Sequence, residues 1–424
     1  MKKVLLAVAL TALCGLTAST YADVQNIRIS GDIRVIGYYL ANVGYSSYAQ
    51  AEGNVNLFEQ QTRVKVEADL EDHVLVVVTL KADGLWGANA SEMARNSAKT
   101  WEVGIDEAYV QLRELFYSPA TLTLGRQYLN YGSGLIISSF DKAYNFDAAR
   151  LVLDYHPLTI DVVAAQQANS QPFKAYNTGT AAVPQTDMLF VNAKYEVNGS
   201  MVKTVEGYFG WMAQSGNADS APMIVGLRTD LVPCENLTAS VEGAYEFANG
   251  GGNEISAFIA KVNAKYTFKG VTWTPAVNAS YTYASGGSST NAESNFRPWF
   301  NMADGYNGYV FAPVLANIQI INVGISAQPA KNTSLALQAY YYMKADKNGS
   351  VSSDPNADIG GFNGTALSVG GRDIGSEVDA IVGYDYSKDV RCQLVYGIAI
   401  PGDAFDGIAN KVVSEVRGEI NVKF

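Results

Sequence analysis

For most of its length the chain alternates apolar and polar side chains with a period of two, as strands do when one face meets oil and the other water. Between Ile27 and Leu40, Ile27, Ile29, Ile33 and Val35 oppose Arg28, Asp32 and Arg34. Between Leu57 and Leu70, Thr62, Val64, Val66, Ala68 and Leu70 oppose Arg63, Lys65, Glu67 and Asp69. At the end of the chain Ser414, Val416, Gly418, Ile420, Val422 and Phe424 share one face, and Glu415, Arg417, Glu419, Asn421 and Lys423 share the other. Carried through, the pattern predicts about 18 strands and no long amphipathic helix. They fall at 27–40, 57–70, 73–83, 101–115, 119–129, 147–155, 157–166, 186–197, 202–214, 221–231, 237–249, 254–268, 271–284, 315–328, 332–344, 375–386, 389–400 and 412–424. The alternation is poor near 101–107 and 315–322.

The connections sort into two sets. Tight turns follow every second strand, at Glu71-Asp72, Tyr117-Ser118, His156-Pro157, Asn198-Gly199-Ser200, Pro233 to Asn236, Lys269-Gly270, Lys331-Asn332 and Ser387-Lys388. The others are mostly long: 41–56, 84–100, 130–146, 167–185, 285–314, 345–374 and 401–411. Short periplasmic turns alternating with long extracellular loops are the construction of an outer-membrane barrel, and a soluble sandwich or propeller has no reason to keep that rhythm. Aromatic residues fall at both ends of the strands, with Tyr39, Trp86, Phe209, Tyr245 and Tyr281 towards the outside and Phe116, Tyr155, Tyr195, Tyr384 and Phe424 towards the inside, as two interfacial girdles require. The expected fold is therefore all-β: a transmembrane antiparallel β-barrel of about 18 strands, wide enough to enclose a lumen.

Composition narrows this further. Met1-Lys2-Lys3, an apolar run from Val4 to Leu16 and Thr20-Tyr21-Ala22 form a secretory signal peptide, so 1–22 are expected to be removed and 23–424 to form the barrel. Leu13 is too large to precede a lipidated cysteine, which speaks against processing at Cys14. With 26 Tyr, 39 Gly, 12 Pro and 17% charged residues, the mature chain is rich in aromatics and turns, and its net charge of −11 argues against a nucleic-acid partner. Cys234 and Cys392 fall on distant strands and are expected to be unpaired.

No catalytic constellation stands out. The only histidines, His73 and His156, sit at predicted turns, so neither an enzyme nor a cofactor or metal site is expected. Asp346 to Ser350, with Asp354 and Asp358, spaces oxygens rather like a calcium loop but lacks the terminal Glu, and reads as an ordinary outer loop. The informative residues are those predicted to face the lumen: Arg28, Arg34, Arg63, Lys65, Glu67, Arg150, Lys194, Arg228, Lys261, Lys265, Arg391 and Arg417, with Asp32, Glu242, Glu246, Glu377, Asp379, Glu415 and Glu419 among the acids. Acids and bases are nearly matched on this face. They suit either a network of ion pairs that stiffens the wall or a filter that selects by charge.

Asp106-Glu107-Ala108-Tyr109-Val110, Leu122 to Gln127 (LTLGRQ), Tyr131-Gly132-Ser133-Gly134 and Phe146-Asp147-Ala148-Ala149-Arg150 resemble the alginate-export family of outer-membrane barrels, with weaker similarity at Gly375 to Asp379 and Pro401-Gly402-Asp403. The resemblance implies a monomeric barrel passing anionic polysaccharide or smaller solutes, with Arg126 and Arg150 on the pore side. For Arg126 this requires a bulge at Gly125, because Leu122 and Leu124 share its parity. The expected function is an outer-membrane channel for hydrophilic, anionic solutes or saccharides; the alternative is a non-conducting structural or adhesive barrel. Loops 285–314 and 345–374 are expected to narrow the mouth. The last strand is expected to pair with the first, setting Arg417 and Glu419 beside Arg28, Asp32 and Arg34. Phe424 is expected to anchor in membrane lipid, and similarity to other outer-membrane barrels implies that the barrel-assembly machinery reads it.

Overall fold

The computed structural model describes residues 26–43, 53–70, 73–87, 100–139, 145–167, 186–214, 221–248, 254–287, 294–296, 299, 307–349, 351, 371–405 and 411–424. The candidate signal peptide, Asp354 and Asp358 lie outside these residues. One 18-stranded antiparallel sheet is formed by β1 (Asn26–Val43), β2 (Gly53–Asp69), β3 (Val74–Leu85), β4 (Thr100–Leu112), β5 (Ala120–Gln127), β6 (Phe146–Tyr155), β7 (Leu158–Gln167), β8 (Thr186–Glu196), β9 (Val202–Gln214), β10 (Met223–Cys234), β11 (Leu237–Ala248), β12 (Ile255–Thr267), β13 (Ala276–Ala284), β14 (Ile318–Ala330), β15 (Thr333–Lys344), β16 (Asp373–Asp385), β17 (Val390–Pro401) and β18 (Val413–Lys423). Each strand pairs with its neighbours in sequence, and β1 pairs with both β2 and β18, so the sheet closes and has no free edge. Among the described residues no helix is long and apolar enough to cross a membrane; the strands do so.

The period-two pattern becomes two chemically different surfaces. Ile29, Val103, Ile105, Leu227, Val323, Ile325 and Ile400 stand exposed on the outside. In water that would be costly, but it is what hydrocarbon requires. Tyr39, Trp86, Phe209, Tyr245 and Tyr281 mark one rim of this belt, and Tyr155, Tyr195, Tyr384 and Phe424 the other, all exposed. Tyr38 and Tyr342, also near the outer ends of their strands, instead point inward and are buried.

At the closing seam Gly37 stands opposite Gly418 and Tyr38 opposite Arg417. Phe424 exchanges both backbone hydrogen bonds with Gly31, at 2.8 and 3.0 Å. A Cβ on Gly31 would stand 2.6 Å from the Phe424 ring and 2.4 Å from the Arg63 carbonyl, so only glycine lets the terminal aromatic lie across the seam.

Two departures from the sequence pattern have local causes. In β4, Thr79 pairs with Glu107 but Leu80 with Ile105, which leaves Asp106 as an extra residue. This β-bulge switches the outward parity from Trp101, Val103 and Ile105 to Ala108 and Val110, which is why alternation fails at 101–107. The second departure is at 271–275, expected to open a strand. Val271 to Thr274 form a turn, with a bond from the Thr274 amide to the Val271 carbonyl, and β13 begins at Ala276. Cys234 and Cys392 are free thiols.

Candidate functional site: a lumen crossed by two infolded segments

Alternation places all but one of the sequence-predicted residues on the inner face, and most of them are paired along the wall. Arg63 makes a two-pronged contact with Asp32, its direct cross-strand neighbour, at 2.9–3.2 Å. Arg34 meets Glu419 at 2.9 Å across the seam. Arg28 pairs with Glu67 and Asp69 at 3.6 and 3.4 Å near the periplasmic end, and Lys65 also holds Glu67, at 3.0 Å. Arg150 binds Asp161 at 2.6 Å, Arg228 binds Asp230 at 2.7 Å, and Arg391 binds Asp385 at 2.7 Å. Lys261 lies directly opposite Glu242, while Lys265 lies exposed near the periplasmic end of β12. The expected grouping of the final strand with the first is thus redistributed: Glu419 does meet Arg34, but Asp32 is held by Arg63, Arg28 lies lower on β2's carboxylates, and Arg417 faces Tyr38.

Arg126 departs from expectation. Val78, Ala108, Arg126 and Asp147 are successive direct neighbours across β3 to β6, and Val78 is exposed on the lipid side. Arg126 therefore points outward. Gly125 has a φ of +125° but causes no shift in the pairing with β4 or β6; the bulge lies one strand earlier, at Asp106. The outward position is tolerable because β5 is only 8 residues long and Arg126 stands at its outer end. Asp147 receives its guanidinium at 2.8 and 2.9 Å, and the Ile105 carbonyl beside the bulge accepts a third bond at 3.3 Å.

Two segments between strands fold inward against this wall. The first follows β5. The amides of Gly132 and Ser133 donate to Glu206 on β9 and Glu242 on β11, at 3.0 and 2.9 Å. Gly132 has φ +60°, and a Cβ there would stand 2.4 Å from the Glu242 carboxylate, so the turn needs glycine on both counts. Tyr131 packs its ring 4.8 Å from that of Phe190, with Arg150 5.9 Å from its centroid. Burial pushes the Tyr131 phenol above its ordinary value, so Arg150 meets a neutral ring.

The second segment precedes β14. Trp299 lies on the β9–β11 side, its indole N–H 3.3 Å from Glu246. Further along, the amides of Tyr309, Val310 and Phe311 all donate to the Glu377 carboxylate on β16, at 2.6, 2.8 and 2.9 Å. Tyr342 adds hydroxyl bonds to the Asn307 carbonyl and to Glu377. Tyr309 then covers Arg417, whose guanidinium sits between the rings of Tyr38 and Tyr309 at 4.8 and 5.2 Å. Arg417 is thus buried under the segment rather than open to the lumen. The carboxylates act as anchors because they accept bonds from backbone that would otherwise be unsatisfied, three at Glu377 and one each at Glu206 and Glu242.

Sequence parity placed Glu242, Glu246 and Glu377 on the inner face but gave no sign that they hold loops; the only local hint was the run Tyr131-Gly132-Ser133-Gly134. Glu206 and Asp161 were missed, although the same parity would have found them. Among the described residues no group of His, Cys, Asp or Glu is disposed to bind a metal. In the Asp346 turn the acid is used internally, its side chain accepting from the Asn348 amide at 2.8 Å.

The family described as alginate export matches residues 45–418. Among solved structures, OpdK of Pseudomonas aeruginosa with vanillate is 11% identical, with 93% of this chain and 98% of that chain covered and a TM-score of 0.60. OccK2 (OpdF) of the same organism is 10% identical, with 95% and 98% covered and a TM-score of 0.60. OccAB4 of Acinetobacter baumannii is 10% identical, with 94% and 99% covered and a TM-score of 0.58. At these identities the likeness is one of fold. No curated protein matches the sequence.

Proposed function

The chain belongs to the alginate-export family of outer-membrane channels, and from that premise we propose that it passes hydrophilic anionic solutes, short acidic saccharides among them, passively through its lumen. One observation carries the anionic preference. The inner-face charges are nearly balanced in number, and some exposed bases stand beside exposed acids such as Asp385, but the acids at the infolded segments are buried. Glu246, Glu377 and Asp379 are 0%, 1% and 0% exposed, and Glu206 and Glu242 are also buried beneath the infolded segments. The side chains of Arg28, Lys65 and Arg391 keep 52%, 32% and 49% exposure. Carboxylates that hold loops are removed from the water a solute traverses, which tips the balance of open charge there towards the bases.

Arg28, Arg34, Arg63, Lys65, Glu67, Arg150, Arg228, Lys261, Lys265 and Arg391 are the residues we assign to the solute path; Arg417 supports the constriction from below. Export would remove 1–22, and the exposed terminal Phe424 would be the feature read by the assembly machinery. OpdK was solved with vanillate, a small carboxylate, which accords with this solute class without fixing it. Liposome swelling tests the reading. Galacturonate should enter faster than glucosamine of similar size. Faster entry of glucosamine would remove the anionic preference, and no entry of either would favour the non-conducting barrel.

A further inference from the structure

At the periplasmic mouth the inner wall carries a recess of about 580 Å³ between the β16–β17 turn and the lower ends of β17 and β18. Three cations line it: Lys388, Arg391 and Lys423. Arg391 is half engaged, with one guanidinium nitrogen on Asp385. Neither Lys388 nor Lys423 forms an ion pair among the described residues, in contrast to the paired bases higher in the wall. The remaining lining is Val390, the amides and hydroxyl of Asn332, Gln393, Asn421 and Ser387, and three carboxylates: Asp385 and Glu419, which Arg391 and Arg34 hold, and Asp389. Asn421 Oδ1 is buried with no hydrogen-bond partner. Gln393 also reaches up to the Tyr309 hydroxyl at 3.3 Å, so the recess lies directly beneath the second infolded segment.

We propose that this recess is a periplasmic binding subsite for a short acidic oligosaccharide. It rests on the channel reading above and adds to it a place where solute dwells. The chemistry fits that class in two ways. Amide and carboxylate side chains suit sugar hydroxyls, which both donate and accept, while the two unengaged ammonium groups and the open side of Arg391 suit the ring carboxylates. The volume lies within the range of small-molecule sites, and all of the lining residues but Val390 are polar or charged. A small inorganic anion would leave most of the recess unfilled, and a neutral sugar would leave the cations unused.

The test is current blockade in a planar bilayer, with the purified full-length barrel in known orientation and trigalacturonate or maltotriose added on the periplasmic side. Trigalacturonate should block the open channel and maltotriose should not. In K388Q/K423Q, which leaves the Arg391–Asp385 pair in place, the half-blocking concentration of trigalacturonate should rise about tenfold, a change of about 1.4 kcal/mol. R391Q serves as an independent second variant with the same expected direction, and unchanged resistance to heat denaturation in detergent in each variant shows that the barrel is intact. An unaltered half-blocking concentration in both variants, or equal block by maltotriose, overturns the subsite. Either result leaves the channel reading standing, whereas absence of any open-channel current overturns that reading itself.

Discussion

Arg63 illustrates what a single lumen residue contributes. It is buried, opposite Asp32, and its guanidinium is held at both prongs. Removing the acid strands a buried charge, so D32A should destabilise the barrel by roughly 3 kcal/mol, read as a lower midpoint of urea unfolding in detergent. Replacing both partners with apolar residues, as in D32L/R63M, should cost less than D32A alone, because no uncompensated charge remains. Arg126 behaves differently. Because it faces outward, R126L should leave ion selectivity unchanged, measured as reversal potential, while R150L should shift it towards cations. The contrast between these arginines also marks the limit of legibility. Arg63 and Arg150 were placed by parity within their own strands. For Arg126 parity with Leu122 and Leu124 gave the outward facing and the resemblance overrode it; what parity could not show is the outward polar partner, Asp147, that stands 21 positions away in the chain.

At the scale of elements, the strands were legible and the infolded segments were not. Alternation gave the order, number and facing of the strands because each strand's two faces meet two different solvents, a property local to the sequence. It stumbled at β4, where the extra Asp106 shifts the phase, and at 271–275, where a turn replaces the expected strand start. The residues from Asn307 to Phe311 carry no periodic signal; their position follows from bonds to Glu377, more than sixty residues later. That dependence is testable. E377A leaves three backbone N–H groups without their acceptor, at roughly 1–3 kcal/mol each. The segment should leave the lumen, and single-channel conductance and current noise should both rise. E377Q keeps one oxygen to accept and should give a smaller change. Identical conductance in E377A and the parent protein would mean that this segment does not limit the passage.

The whole molecule is a closed sheet whose closure depends on its two chain ends. Val35 and Ile420 are direct neighbours across the β1–β18 seam and point to lipid. V35C/I420C, with Cys234 and Cys392 replaced by Ala, should oxidise to a disulfide within the folded barrel and raise its resistance to heat denaturation in detergent. Failure to oxidise in the folded barrel would contradict the register. Closure also fixes which charges share a lumen. The net charge of −11 suggests a cation-preferring protein, yet the acids nearest the constriction lie beneath the segments they anchor. The reversal potential of single channels under a tenfold KCl gradient measures the outcome most directly. The arrangement predicts a sign that denotes chloride over potassium preference, lost progressively as Arg28, Lys65 and Arg391 are neutralised. A potassium-preferring channel whose selectivity ignores those three residues would contradict it.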